Sequence, residues 1–75
     1  MKVDKEEFLA WIQKELSMGS IPKGNVVFRE IPTWSSLNAL LIMTHAFEKW
    51  KVLLTAQQLA EATTLEHIWE LLNTK

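Results

Sequence analysis

Apolar residues between positions 36 and 50 recur at helical spacing. One set stands at i, i+3, i+4, i+7 and i+10 and describes one stripe of an α-helix, namely Leu37, Leu40, Leu41, Thr44 and Phe47. A second set brings the apolar surface to nearly two faces, namely Ile42, Met43, Ala46 and Trp50. Such breadth predicts a central helix that neighbouring elements pack on several sides.

A second amphipathic segment lies near the start of the chain. Its hydrophobic residues stand four apart or side by side, at Phe8, Leu9, Ile12 and Leu16. Asp4 and Glu7 have the spacing of a capping box, so we expect the first helix to begin directly after Asp4. Gly19 follows the apolar pattern and is the expected helix terminator.

A long connection should follow, because all glycines and prolines of the chain fall between positions 19 and 32. Residues 19–33 therefore form an unusually long loop for a compact domain. Val26 and Phe28 alternate as in a strand, but no second strand is available to pair with them. We expect four hydrophobic residues to anchor this loop, namely Ile21, Val26, Phe28 and Ile31.

Two further helices are predicted after position 54. Thr55 should cap a short helix over 56–61, and Thr63 with Glu66 repeats the capping-box spacing before the last helix. The inner face of that helix is expected to be Leu65, Ile68, Leu71 and Leu72. The chain therefore predicts a single all-α domain over residues 1–75, with three long helices and one short one.

Composition narrows the possible functions. The 75 residues are 48% hydrophobic and carry a net charge of −1, which argues against nucleic-acid or anionic-membrane partners. No apolar run approaches the ~20 residues of a membrane-spanning helix, and the charged N-terminus does not resemble a signal peptide, so a cytoplasmic monomer is expected.

The reactive side chains are few. The absence of cysteine excludes disulfides and cysteine-ligated metals. His45 and His67 each stand alone, so no metal site is expected. No nucleophile–base pair can be named, which argues against an enzyme.

Ser35 and Ser36 directly precede the central apolar segment. A hydroxyl at that position can cap the helix by accepting a hydrogen bond from its first turn. It can also be a reactive or modified group. Because caps are common and reactive serines are rare, these residues alone favour the cap.

The segment WSSLNALLIMTHAFEKWKVLLTAQQLAEATTLEHIWELL resembles the second half of an acyl or peptidyl carrier protein, in which a helix opens with Asp-Ser-Leu. Ser36 and Leu37 match the Ser-Leu pair, and Trp50 takes the place of a large aromatic residue. Val52 and Leu54 match an apolar pair after the helix. The resemblance covers about residues 28–72 without a gap.

This resemblance implies a four-helix carrier-protein bundle with a long loop after its first helix. It also implies that a phosphopantetheinyl transferase attaches 4′-phosphopantetheine to Ser36. The thiol of that arm would hold an acyl or aminoacyl group for a ligase, ketosynthase or acyltransferase, and the protein itself would catalyse nothing. A helix N-terminus suits the phosphodiester, because its free N–H groups and partial positive charge favour an anion.

The chain departs from the family at several positions. Ser35 stands where the family has Asp, and Lys51 stands where many members have Gly. His45 replaces a small residue, and Leu41 replaces a frequent Glu. Without the usual acidic residues on this helix, a specialised polyketide, peptide or lipid pathway is favoured over housekeeping fatty-acid synthesis. The alternative is a carrier-fold interaction module without an arm, which Ser35 supports.

Two surfaces follow from the resemblance. Partners are expected to contact residues around the attachment site, namely Trp34, Ser35, Leu37, Leu41, Thr44 and His45. Of these, Leu37, Leu41, Thr44 and His45 should form an exposed apolar strip. A bound acyl chain, if it enters the bundle, is expected to be lined by Leu40, Ala46, Leu59 and Leu65.

Overall fold

The computed structural model describes residues 3–73 and contains four α-helices. They are α1 (Lys5–Glu15), α2 (Ser36–Trp50), α3 (Ala56–Glu61) and α4 (Leu65–Asn73). Within the described residues there is no strand, and three of the helices are long while α3 is short. The predicted all-α class and the long connection after α1 are therefore confirmed.

One hydrophobic core joins the helices and the connection. The largest fully buried side chains come from α1, α2, α4 and the loop, and they are Phe8, Ile12, Leu16, Phe28, Ile42, Leu65, Ile68 and Leu72. The predicted inner faces of α1 and α4 are confirmed, except that Leu71 is only half-buried. α1 packs against α4, and α2 packs against α3.

α2 contributes one face to this core. Ile42, Ala46 and Trp50 are buried at intervals of four residues. The opposite face is exposed along its whole length and consists of Leu37, Leu40, Leu41, Thr44 and Phe47. α2 is therefore packed on more than one side, as expected, by α1 through Trp11 and His45 and by α3, but one apolar face stays uncovered.

The connection between α1 and α2 is anchored by its second half. Phe28 and Ile31 are buried around a 3₁₀ turn over Phe28–Glu30, and Val26 is half-buried. Ile21 is 55% exposed, so its predicted anchoring role is wrong. Pro22 is buried instead, one residue further along.

Backbone hydrogen bonds tie this connection to α4. Val27 and Thr64 form an isolated antiparallel bridge, and the Leu65 N–H donates to the Val26 carbonyl at 3.0 Å. The strand-like alternation around Val26 therefore finds its partner in the residues before α4. This bridge fixes the 3₁₀ turn beside α3 and α4.

The ends of α1 differ from the sequence prediction in detail. Asp4 is the N-cap as predicted, but its side chain makes no capping hydrogen bond. The Glu7 carboxylate accepts instead from Trp50 Nε1 at 3.2 Å, which links α1 to α2. At the other end the left-handed residue is Ser17, with φ 54°, so the assignment of Gly19 as terminator is wrong.

The predicted start of α3 is confirmed. The Gln58 N–H donates to Thr55 Oγ1 at 3.1 Å, and the Thr55 N–H donates to Gln58 Oε1 at 3.0 Å. The predicted start of α4 is one residue early. Thr64 Oγ1, rather than the Thr63 hydroxyl, accepts from the backbone N–H of His67 at 3.2 Å.

Candidate functional site

The two serines at the start of α2 have different structural roles. Ser35 is the N-cap, in extended backbone conformation. Asn38 Oδ1 accepts from the Ser35 backbone N–H at 2.8 Å and from the Ser35 hydroxyl at 3.1 Å. Ser36 is the first helical residue and is exposed, and its hydroxyl forms no hydrogen bond to any of residues 3–73. The capping role therefore belongs to Ser35 and leaves Ser36 Oγ accessible.

The electrostatic environment at this end of α2 favours an anion. The first turn of the helix contains no acidic residue. The only charged residues within α2 are Glu48 and Lys49, which lie at its opposite end. A phosphodiester on Ser36 would therefore meet the partial positive charge of the helix N-terminus without a nearby carboxylate on the same helix.

Ser36 also lies at an apolar cavity of about 210 Å³. The cavity lies where α2, α3 and the 3₁₀ turn meet. Its lining is Phe28, Arg29, Trp34, Ser36, Ala39, Met43, Ala56, Leu59 and Ala60. Seven of these nine residues are hydrophobic, so the space beside the exposed hydroxyl suits an apolar group.

Small side chains create this cavity. Ala39 on α2 faces it from one side, and Ala56 and Ala60, one helical turn apart, face it from α3. Trp34 and Phe28 form an aromatic wall, with ring centroids 4.7 Å apart and planes tilted by 58°. The hydrophobic wall of the cavity therefore consists of two aromatic rings and three methyl groups, together with the side chains of Met43 and Leu59.

Arg29 closes one side of the cavity and was missed by the sequence analysis. Its Nη1 donates to the Ala62 carbonyl at 2.6 Å, and its Nη2 donates to the carbonyls of Leu59 and Ala60 at 2.8 and 2.6 Å. These carbonyls lie at the C-terminal end of α3, where a helix runs out of i+4 donors; that of Leu59 also accepts from the Ala62 N–H at 3.3 Å. Nothing in the hydrophobic pattern marks Arg29, because its role depends on a contact between residues some 30 positions apart.

The exposed face of α2 runs from beside Ser36 toward the C-terminal end of the helix. We call Leu37, Leu40, Leu41, Thr44 and Phe47 the α2 strip. Leu37 is 61% exposed and Leu41 is 39% exposed, as predicted for a contact surface. Trp34, half-buried against Phe28, lies just before the helix. A continuous apolar face of this kind is more often a contact surface than isolated exposed leucines are.

His45 does not belong to this strip. Its ring stacks on Trp11 with centroids 4.1 Å apart and planes 14° apart, and it meets the edge of Trp50 at 4.8 Å. The residue is half-buried on the flank of α2 that faces α1. The prediction that His45 is part of the exposed strip is therefore wrong, because a flat ring can fill the gap between two tryptophans.

Of the four residues expected to line a bound chain, only one lies at the cavity beside Ser36. Leu40 is 57% exposed and lies on the α2 strip. Ala46 and Leu65 are fully buried in the core and do not line the cavity. Only Leu59 lines it. The face of α2 that borders α3 carries Ala39 and Met43, and the hydrophobic pattern alone does not reveal which face that is.

Other kinds of site find no support among residues 3–73. No group of three or more His, Asp or Glu side chains in this part of the chain is arranged to hold a metal ion. No helix within it is long and apolar enough to cross a membrane.

Comparisons with protein-family models, with curated proteins and with solved structures find no match to this chain.

Proposed function

We propose that this protein is a carrier that takes 4′-phosphopantetheine on Ser36 and holds acyl or aminoacyl groups as thioesters on the thiol of that arm. The observation that supports the proposal is that the two serines have different structural roles. Ser35 caps α2 through Asn38, whereas the hydroxyl of Ser36 is exposed, makes no hydrogen bond within residues 3–73 and lies at an apolar cavity. The sequence around both serines resembles the carrier family.

The proposed role is delivery rather than catalysis. The chain has no cysteine, so the thiol that carries the cargo has to come from the prosthetic group. A phosphopantetheinyl transferase would install the arm, and a ligase, ketosynthase or acyltransferase would load or unload it. The α2 strip and Trp34 would contact these enzymes, since the exposed strip begins directly after Ser36 and Trp34 lies at the same cavity as Ser36.

A second candidate is a helical interaction module that keeps this fold and carries no arm. Two observations favour it. Ser35 stands in place of the Asp that carriers have, and the exposed α2 strip would bind a partner protein whether or not Ser36 carries a prosthetic group. In this role Ser36 would simply be the first residue of a helix. The two functions differ in one measurable property, the covalent state of Ser36.

The decisive experiment is the intact mass after co-expression with a broad-specificity phosphopantetheinyl transferase. We expect one phosphopantetheinyl group per chain, and peptide mapping should place it on Ser36. Ser36→Ala should abolish the modification without unfolding the protein, because Ala is favourable at a helical position and the Ser36 hydroxyl forms no hydrogen bond in residues 3–73.

Ser35→Ala and Ser35→Asp are the matched controls. Ser35→Ala should retain the modification but lose about 1 kcal/mol of stability, because the N-cap hydroxyl is removed. Ser35→Asp keeps a good N-cap and should speed the modification, since it restores the carboxylate of the family pattern. Modification that persists in Ser36→Ala would refute the assignment, and an unmodified wild-type chain would favour the interaction module.

A further inference from the structure

We infer that two copies of this chain associate by packing the α2 strip of one against the α2 strip of the other, with the two helices antiparallel. The association needs no group on Ser36 and is therefore independent of the proposed function. It covers the same surface that the enzymes would contact, so only the free monomer would be open to them.

The spacing of the strip is that of a helix-pairing seam. Four of its residues stand at intervals of three, four and three, which is the a and d pattern of a coiled coil over two heptads, and they are Leu37, Leu40, Thr44 and Phe47. All four remain exposed in the folded chain. A second copy presents the same pattern, so the face is self-complementary about a two-fold axis.

An antiparallel pairing matches large residues with large ones at both ends of the seam. It sets a positions against d positions, so Leu37 meets Phe47 of the second copy and Leu40 meets its Thr44. The small Thr44 stands near the middle, where it allows the two helices to approach closely. The two-fold axis then passes beside Leu41, which meets its own counterpart.

Charge also favours the antiparallel arrangement. Glu48 lies one turn beyond Thr44 on the same side of α2, is exposed, and has no ion-pair or hydrogen-bond partner within residues 3–73. In the antiparallel pair its carboxylate approaches the first turn of the second α2, where no acidic residue offsets the partial positive charge of the helix N-terminus. A parallel pair would instead bring the two Glu48 carboxylates together. With a net charge of −1 on each copy, the chains repel each other little.

The area of the strip sets the strength of the association. Leu37, Leu40 and Phe47 are more than half exposed, and Leu41 is exposed to a lesser extent. At roughly 200 Å² for a large hydrophobic side chain, the strip offers about 400 Å² of apolar surface. Two strips then bury about 800 Å², less than the ~1,200–2,000 Å² of stable complexes. We therefore expect a weak dimer with a Kd on the order of 100 μM, in which α2 needs no ordering because its other face is already held in the core.

Sedimentation equilibrium of the full chain between about 10 μM and about 1 mM tests the association. The average mass should rise from that of one chain toward that of two. Leu40→Glu should raise Kd about tenfold or more, because a carboxylate would be buried in the seam without a partner. The monomer should stay folded, since Leu40 is 57% exposed. Leu53→Glu makes the same charge change at an exposed leucine outside the strip and should leave Kd unchanged.

Single cysteines report the orientation of the two helices, since the chain has no cysteine of its own. With oxidised glutathione, Leu41→Cys should form a disulfide-linked dimer, because the two-fold axis places this residue beside its counterpart. Leu37→Cys should not, because the antiparallel arrangement separates the two residues by roughly 15 Å along the helices, beyond the reach of a disulfide.

Three results would overturn the inference. A wild-type mass that stays that of one chain at about 1 mM would exclude self-association and leave the strip to a different partner. An equal rise of Kd in Leu53→Glu would exclude the strip as the interface. Efficient cross-linking through Leu37→Cys would exclude the antiparallel arrangement. None of these results bears on whether a transferase modifies Ser36.

Discussion

At the scale of single residues, His45 is the side chain whose environment most directly predicts a measurable property. It lies between the rings of Trp11 and Trp50 on the flank of α2. Burial lowers the pKa of its imidazole, and the nearby Lys49 lowers it further. The carboxylates of Glu15, Glu48 and Glu7 act in the opposite direction, but the net direction of the pKa is downward.

This lowered pKa predicts a loss of stability in mild acid. Above the ordinary histidine pKa of about 6.5, neither the folded nor the unfolded chain binds the proton. As the pH falls below that value, the unfolded chain takes up a proton before the folded chain does, so the free energy of unfolding decreases. We expect Tm to fall between pH 7.5 and pH 5.5, measured by circular dichroism.

Substitutions of the two histidines separate this effect from other titrations. His45→Gln should reduce the fall in Tm, whereas His67→Gln should leave it nearly unchanged because His45 remains. A pH profile that is the same in His45→Gln and wild type would show that the stacked imidazole is not its source.

At the scale of the helices, the C-terminal end of α2 contains a residue in an energetically unfavourable backbone conformation. Lys51 follows the helix in the left-handed conformation, with φ 58° and ψ 33°. Residues with a side chain pay about 1–2 kcal/mol for this conformation, which glycine adopts freely. The resemblance places glycine at this position in many carriers. The helix therefore ends in the conformation that glycine would favour, with lysine in its place.

Lys51→Gly should therefore stabilise the protein. The relief of the left-handed strain exceeds the extra chain entropy of glycine, and the net gain should be roughly 0.5–1 kcal/mol. For a domain of this size the corresponding rise in Tm is about 2–8 °C. Thermal unfolding measures this directly.

The control is Lys14→Gly in the last turn of α1, where glycine should lower Tm. A lower Tm in Lys51→Gly would show that the side chain of Lys51 contributes more than its backbone costs.

The predictability of each element depended on whether its signal was local. Thr55 and Gln58 form their capping box within four residues, and the sequence identified α3 with its correct bounds. The end of α1 was missed because Ser17, rather than the glycine nearby, takes the left-handed position. The role of Arg29 depends on carbonyls some 30 residues away, which no local pattern encodes.

The face of α2 was the least predictable feature of the site. Both of its faces are apolar, so periodicity alone does not identify which one is buried. The tertiary structure decides this, since Ile42, Ala46 and Trp50 pack inward and the strip faces outward. The sequence did place Ser36 at the start of this helix. That Ser35 caps the helix, whereas Ser36 does not, is shown only by the hydrogen bonds that Ser35 donates to Asn38.

At the scale of the whole molecule, charge is nearly balanced and is kept away from the proposed contact surface. The net charge is −1, and the α2 strip has no charged member. Contacts between exposed charges weaken as salt is raised, whereas apolar contacts do not depend on charge screening. Recognition through the strip should therefore differ in its salt dependence from recognition through acidic residues.

Leu41→Glu tests this surface against both the proposed function and the fold. We expect the KM of the modifying transferase for the apo protein to rise about tenfold or more, because a carboxylate would be buried unpaired in the complex. The wild-type KM should change little between low and high salt. Tm should fall less than it would for a core leucine, since 39% of Leu41 is exposed. Leu53→Glu, at a leucine that is 68% exposed and outside the strip, should leave KM unchanged.

A steep salt dependence of the wild-type KM would instead assign recognition to Glu30, Glu48 and Glu61. An equal rise of KM in Leu53→Glu would mean that the added charge, and not the strip, governs binding.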